Sequence, residues 1–378
     1  MAVKTREEYL AALKKMRPNI YKFGELIEDV TTHPATKRTV ESHARCFDAA
    51  NDADLEKMYT TTSMFTGEKI QRWNCMMQDH GSLIQNMRFK RQNYRRTGSC
   101  TGAVCVGWNA MNVMWAVTED MDAEYGTNYK ERLKNWILNA QKEGLTVAGA
   151  LTDAKGDRSK PPSQQDDPDT NLHVKEVRED GIVIRGAKLM ICGTAAAQEI
   201  FLLPGSGYKE PDADYALACV VPRDIEGLTI VEARHPSDKR ELEETADVEV
   251  PDTGITQGWL LFDDVFVPNE RVFMCREAKY SGKVIQYFTS NYRACIGGCV
   301  TGQGDVMIGA SILMARANGL KTKTFMNKLV DMSINNTITF GLGAGACALG
   351  FQHPAGSFFA DPHTAHTNKV MVATLPYE

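Results

Sequence analysis

No stretch of this 378-residue chain approaches the roughly 18 to 20 consecutive apolar residues that a bilayer-spanning helix needs, so no membrane partner is expected. The first residues, MAVKTREEYLAALKKM, are charged and amphipathic, with no apolar core behind a basic flank. A secretory leader is therefore not expected, and the cytoplasm is the expected location. Internal repeats and low-complexity tracts are lacking. Charge of one sign is scarce as well: 43 Lys and Arg against 48 Asp and Glu leave a net charge of −5, which gives no footprint for nucleic acid. The one basic run, Arg88, Lys90, Arg91, Arg95 and Arg96, reads as a solvated helix face, with an anionic substrate as the second reading. Ten cysteines are too few for a disulfide scaffold and more than packing requires, which leaves room for metal or redox chemistry among them.

What is present is the composition of a globular protein, 43% hydrophobic and 24% charged, long enough for two or three domains around a sizeable core. Up to about residue 143 the apolar residues recur at three- and four-residue steps, as in Tyr9, Leu10, Leu13 and Met16, and predict helices. From 144 to 275 short β-branched segments such as HVKEV, GIVIRGAKLMI and GWLLFDDVFVP are broken by Gly, Pro and Asp, and predict a β domain. Helical periodicity returns over 276–378. The expected domains are thus 1–143, 144–275 and 276–378, in the order helical, β, helical. That order is α+β and resembles acyl-CoA dehydrogenases, in which a β domain lies between two helical domains and a flavin sits where they meet.

The segment from Gly149 to Ala195, with TDAKGDR and EDGIVIRGAK inside it, resembles the signature stretch of the 4-hydroxyphenylacetate 3-hydroxylase family. YKFGELIEDVTTHP, WNAMN, LLFDDVFVPNERVF and GGCVTGQGDVMIGA match in the same order over essentially the whole chain. Within the family, GGC followed by GxGD is most similar to the 4-hydroxybutyryl-CoA dehydratase branch. The resemblance implies FAD, with Thr152, Lys155, Gly156, Asp157 and Arg158 as the loop over the flavin and Cys192, Gly193 and Thr194 beside it. It also places Asn318 and Gly319 on a helix that reaches a cofactor across a subunit interface, which makes a homo-oligomer the expected assembly. Without the family, a DAKGDR turn between β segments reads first as a hairpin, although its backbone N–H groups and cationic side chains suit an anion.

The same branch implies a 4Fe-4S cluster held by three cysteines and a histidine. This sequence has Cys100, Cys105 and Cys299, but the first two are one residue further apart than the branch pattern, and Tyr292 stands at the histidine position. On a helix 292, 295 and 299 share a face, so Cys295 would replace the histidine in an all-thiolate set of Cys100, Cys105, Cys295 and Cys299. The other reading is that the cluster is gone and these cysteines pack. Acid/base positions differ too: Gln257 stands where the branch has a glutamate, Ile296 where it has a tyrosine and Val300 where it has a lysine. Gln257 and Tyr292 are therefore the candidate catalytic positions, the phenol being the one group of the two that can exchange a proton.

The chain stops at MVATLPYE, within what resembles the middle of the family's last helical domain. An incomplete bundle, or a second polypeptide that completes it, is expected. Three functions follow: an FAD-dependent acyl-CoA dehydratase or isomerase, a flavin-dependent phenol monooxygenase served by a reductase, and a non-catalytic paralogue. A substrate of the acyl-CoA or phenol class goes with the first two.

Overall fold

A computed structural model describes residues 3–233 and 252–377. The chain forms two compact units, residues 1–76 with 101–285 and residues 77–100 with 286–378.

In the first unit a six-stranded sheet runs in the order Glu25–Ile27, Ile20–Lys22, Leu228–Glu232, Gln257–Pro268, Gly181–Cys192, His173–Val177. A four-stranded sheet runs Val272–Cys275, Leu217–Pro222, Glu199–Leu202, Val147–Ala150. Pairing is antiparallel except between Ile20–Lys22 and Leu228–Glu232 and between Val147–Ala150 and Glu199–Leu202. Helices Arg6–Lys14, Lys37–Ala50, Val106–Tyr125 and Tyr129–Glu143 belong to the same unit. Thr5 starts the first of them through a capping box with Glu8, which satisfies two orphan donors. The Val106–Tyr125 helix is apolar nearly all round, and Met111, Val113, Met114 and Val117 are fully buried. Such a helix belongs inside a core rather than on its surface.

Residues 20–27 depart from the helical expectation. Phe23 and Gly24 both take positive φ, 52° and 86°, the geometry of a two-residue hairpin turn. Asn19 then donates to the carbonyls of Arg223 and Leu228, which pins the hairpin to the six-stranded sheet. A long-range partner has overridden the local periodicity.

In the second unit helix His80–Thr97 packs with residues 286–317 of the long Ala278–Ala317 helix and with Lys323–Ala348, and Pro362–Thr374 packs against the latter two. Compactness therefore groups 80–97 with the C-terminal helices, a division different from the one that periodicity suggests. Glycines carry the close approach. A Cβ at Gly298 would collide with the carbonyl oxygen of Met87, and one at Gly302 would lie 2.5 Å from Tyr94 Cβ. Arg91 grips Asp305 through two bonds of 2.7 and 2.8 Å, and Arg95 adds a third at 2.6 Å. Lys90 is buried with its Nζ 5.4 Å from the Tyr292 ring. The basic run is thus partly internal, and its solvated-face reading holds for Arg88.

Replacing Gly298 by alanine drives a methyl group against backbone that cannot yield cheaply, and should cost about 1–3 kcal/mol. Denaturant titration of the variant checks this; an unchanged midpoint would show that the two helices separate freely.

Candidate functional site

The two longest strands, Gly181–Cys192 and Gln257–Pro268, pair antiparallel, and their register sets Cys192 opposite Gln257. Beyond that pair the chain turns. Gly193 takes φ 76°, which glycine adopts without penalty, and its N–H donates to Thr256 O at 3.0 Å. Residues 102–104 form a 3-10 turn whose backbone lies against this one: a Cβ at Gly102 would be 2.5 Å from Cys192 O, and one at Gly193 would be 3.0 Å from Ala103 N. Both glycines are there because two backbones touch.

His43, fully buried on helix Lys37–Ala50, holds the second turn. Its Nε2 accepts from Ala103 N at 3.0 Å while Nδ1 faces Thr39 O at 2.7 Å, which fixes the neutral tautomer with the proton on Nδ1. Burial lowers its pKa to about 4. Thr39 Oγ1 accepts from Thr256 N, so one helix braces both turns. Gln257 Nε2 donates to Cys192 Sγ at 3.2 Å. Thr194 is fully buried and its hydroxyl donates to Glu232 Oε1 at 3.4 Å, so this residue offers backbone and no side chain to a ligand. Burial raises the Glu232 pKa.

A bulge next to these turns shapes the surface. Two residues, Leu189 and Met190, oppose Trp259, because Lys188 pairs with Leu260 and Ile191 with Gly258. Met190 takes φ 56°, and its sulfur receives Trp259 Nε1 at 3.4 Å. Met190, Trp259 and Leu261 remain 47, 45 and 41% exposed, a flat apolar ledge at the ends of both strands. The Thr152–Arg158 loop starts at this place, since Leu189 N donates to Thr152 O at 2.8 Å. Past Asp153 the loop is exposed; Gly156 has φ 48°, and Gln165 ties the far side through Asp157 N at 2.9 Å. Asp157 spends its carboxylate on Ser159, while Lys155 and Arg158 are exposed.

In the first unit Cys192 to Thr194 lie with Gln257, and the Thr152–Arg158 loop leaves from the same strand, at Leu189. Three further residues bear on the same place without having been expected: His43, Glu232 and the buried Lys188. Only Lys188 left a signal, a charged residue at an inward position of an alternating strand.

Other expected positions differ. Asn318 and Gly319 lie past the helix end, in a capping turn in which Gly319 takes φ 64° and Asn318 Nδ2 donates to Met314 O. They cap the helix rather than extend it. Cys105 follows the 3-10 turn with φ −131° and ψ −62°, so Cys100 and Cys105 do not share a helix. In the second unit Cys295 is 1% exposed, its Sγ 3.8 Å from Leu83 O, and it hydrogen-bonds Cys347; that contact lowers the Cys295 pKa and raises that of Cys347. A thiol so engaged does not fit the role of a cluster ligand. Among the described residues, no group of three or more His, Cys, Asp or Glu could hold a metal ion. Tyr292 stacks on Phe288 at 5.4 Å.

Two family profiles match, 4-hydroxyphenylacetate 3-hydroxylase N terminal over residues 5–274 and C terminal over residues 281–378. The 4-hydroxybutyryl-CoA dehydratase/vinylacetyl-CoA-Δ-isomerase of Clostridium aminobutyricum is 35% identical over 99% of this chain and 77% of its own. An oxygen-tolerant archaeal 4-hydroxybutyryl-CoA dehydratase from N. maritimus superposes with a TM-score of 0.94 at 30% identity, over 99% of this chain and 74% of that one. The oxygenase component of a 4-hydroxyphenylacetate 3-monooxygenase from Geobacillus sp. is 28% identical over 73% of this chain and 55% of its own. A structure of such an oxygenase with FAD and 4-hydroxyphenylacetate shares the fold at a TM-score of 0.79 and 22% identity, over 98% of this chain and 78% of that one. Butyryl-CoA dehydrogenase from Megasphaera elsdenii shares it at 0.52 and 15%, over 79% of this chain and 69% of that one, so the fold is acyl-CoA dehydrogenase-like.

The neutral His43 gives the turns a pH limit. An unfolded imidazole titrates near 6.5, so between about 6.5 and 4 the unfolded chain binds the extra proton and stability falls as pH falls. Its contribution is complete above that window. The loss by pH 4 should be on the order of 2–3 kcal/mol, and His43→Gln should flatten this part of a stability-against-pH curve. A variant curve as steep as the wild-type one would refute it.

Proposed function

This chain belongs to the 4-hydroxyphenylacetate 3-hydroxylase family, and from that premise we propose that it is an FAD-dependent enzyme acting on an acyl-CoA, of the 4-hydroxybutyryl-CoA dehydratase/vinylacetyl-CoA isomerase type. The observation that carries the reading is the 35% identity to that dehydratase along 99% of the chain. The site is compatible with a flavin. The ledge of Met190, Trp259 and Leu261 offers a flat apolar seat for a ring system, and Lys155 and Arg158 supply positive charge for a pyrophosphate from a loop whose Gly156 leaves the backbone open. Bound flavin would supply the electron-transfer chemistry.

The residues of the chain then orient and exclude. Gln257 holds the Cys192 thiol by its amide and cannot act as a base, so the proton transfers of an acyl-CoA substrate fall to another group, with the Tyr292 phenol as the candidate. A 4Fe-4S cluster would need Cys100, Cys105, Cys295 and Cys299 together, and the enclosure of Cys295 counts against that set. Phenol hydroxylation is the second reading, favoured by the tyrosine at position 292 where the dehydratase branch has a cluster histidine. The second unit leaves Leu313, Met314, Phe325, Met326, Val330 and Ile334 exposed, an apolar helix face that favours burial against another copy or a further polypeptide.

Anaerobically purified protein should carry FAD and convert vinylacetyl-CoA or 4-hydroxybutyryl-CoA. Oxygen-dependent hydroxylation of 4-hydroxyphenylacetate with reduced flavin, and no acyl-CoA turnover, would hand the assignment to the monooxygenase reading. An iron assay on the same sample decides the cluster. Gly156→Trp should lose most of its flavin during purification, because a side chain there meets Gln165 and distorts the loop; full flavin content in the variant would move the site elsewhere.

A further inference from the structure

Lys188 is among the largest fully buried side chains of the protein, and it is charged. Its Nζ donates to Leu151 O and Leu203 O at 2.9 Å and forms an ion pair with Asp153 Oδ1 at 2.6 Å. Asp153 turns its other oxygen to Tyr208, whose hydroxyl donates at 2.9 Å. Tyr208 is held in turn by Ser281, its N–H donating to Ser281 Oγ at 2.7 Å. A Cβ at Gly205 would collide with Asp153 Oδ2, so the chain crosses directly over the carboxylate. The group joins the ends of strands Val147–Ala150 and Glu199–Leu202, the strand Gly181–Cys192 and the start of the long helix.

A buried ion pair is a poor way to gain stability, since desolvation of both charges consumes most of the attraction and an apolar pair of equal size does as well. What it does give is a fixed geometry at one point. That point is the root of the Thr152–Arg158 loop: Asp153 is its last buried residue, and everything from Lys155 to Lys160 is exposed.

We propose that Lys188, Asp153 and Tyr208 form a latch of positioning residues that sets the Thr152–Arg158 loop in advance for the flavin; the proposal rests on the FAD reading above. The latch touches no cofactor atom and acts through the loop. Its removal lets the exposed segment sample conformations that binding must then select against, which weakens affinity without removing any contact.

The test compares wild type, Lys188→Met/Asp153→Asn and Tyr208→Phe. In the double variant both charges go while the side-chain volumes stay, so a melting temperature close to wild type is expected. FAD titration of the apoprotein, followed by flavin fluorescence, should show binding about tenfold weaker in the double variant and about threefold weaker in Tyr208→Phe. Tryptic cleavage after Lys155 and Arg158, without flavin, should be faster in both. A double variant that folds and binds FAD as wild type overturns the latch. Should the double variant fail to fold, Tyr208→Phe decides alone, and unchanged affinity and cleavage there overturn it. If wild type takes up no FAD, the FAD reading fails; cleavage rates then judge the latch by themselves, and equal rates overturn it.

Discussion

The pairing of Gly181–Cys192 with Gln257–Pro268 is the constraint on which the candidate site depends. Its register has Cys192 opposite Gln257 and so delivers the thiol, the amide and the following left-handed turn to one end of the sheet. A slip of Gly181–Cys192 by one residue would turn Lys188 outward, and the same slip in Gln257–Pro268 would turn Trp259 and Leu261 inward. The bulge at Leu189 and Met190 keeps that register while shifting the phase of the last residues. Without it Ile191 would share a face with Leu189 in an unbroken pleat, and the Trp259–Met190 contact that builds the ledge would not form.

Much of the fold was legible because its signals are local. The β-branched alternation of GIVIRGAKLMI and GWLLFDDVFVP describes strands that exist almost as written, 12 residues each. The hairpin at 20–27 was not legible, since its formation depends on Asn19 reaching two carbonyls more than 200 positions away. The same holds for helix His80–Thr97, whose periodicity says that it is a helix and nothing about which helices it packs against. At the site, motif resemblance named the loop, the turn and Gln257 as the expected positions. His43 was invisible: a lone histidine in a helix of mixed polarity gives no hint that its Nε2 caps a turn 60 residues on.

The cysteines show how spacing misleads when the conformation is assumed. The gap between Cys100 and Cys105 holds a 3-10 turn, residues 102–104, followed by φ −131° at Cys105, so its length in residues does not tell where the two thiols point. In the second unit 295 and 299 do lie on one helix, as expected. Sharing a helix face there did not free Cys295 for a ligand, because the helix packs that position against Leu83 and Cys347. Glycine at 298 has its explanation in the approach of two helices, so that part of the GGC motif carries packing information whatever the cysteine beside it does.

Three buried polar pairs of the first unit lie around the loop and the turn. Lys188 with Asp153, Glu232 with Thr194, and His43 with Ala103 each place a titratable side chain in the interior within a few residues of the candidate flavin-binding segments. Burial opposes the charged form of every one, so each is tolerable only with a partner in place. The partners differ in kind, and the difference is informative. His43 is kept neutral and serves as an acceptor, which suits a brace that must not respond to ordinary changes of pH. Lys188 and Asp153 neutralise one another, which suits a fixed point that must hold direction. Glu232 has a hydroxyl beside it, and burial raises its pKa. In a chain where Gln257 has replaced the expected carboxylate, Glu232 is the nearest acid by strand pairing, one strand away opposite Gly258. Its enclosure behind a fully buried Thr194 leaves direct proton transfer to groups that reach the substrate.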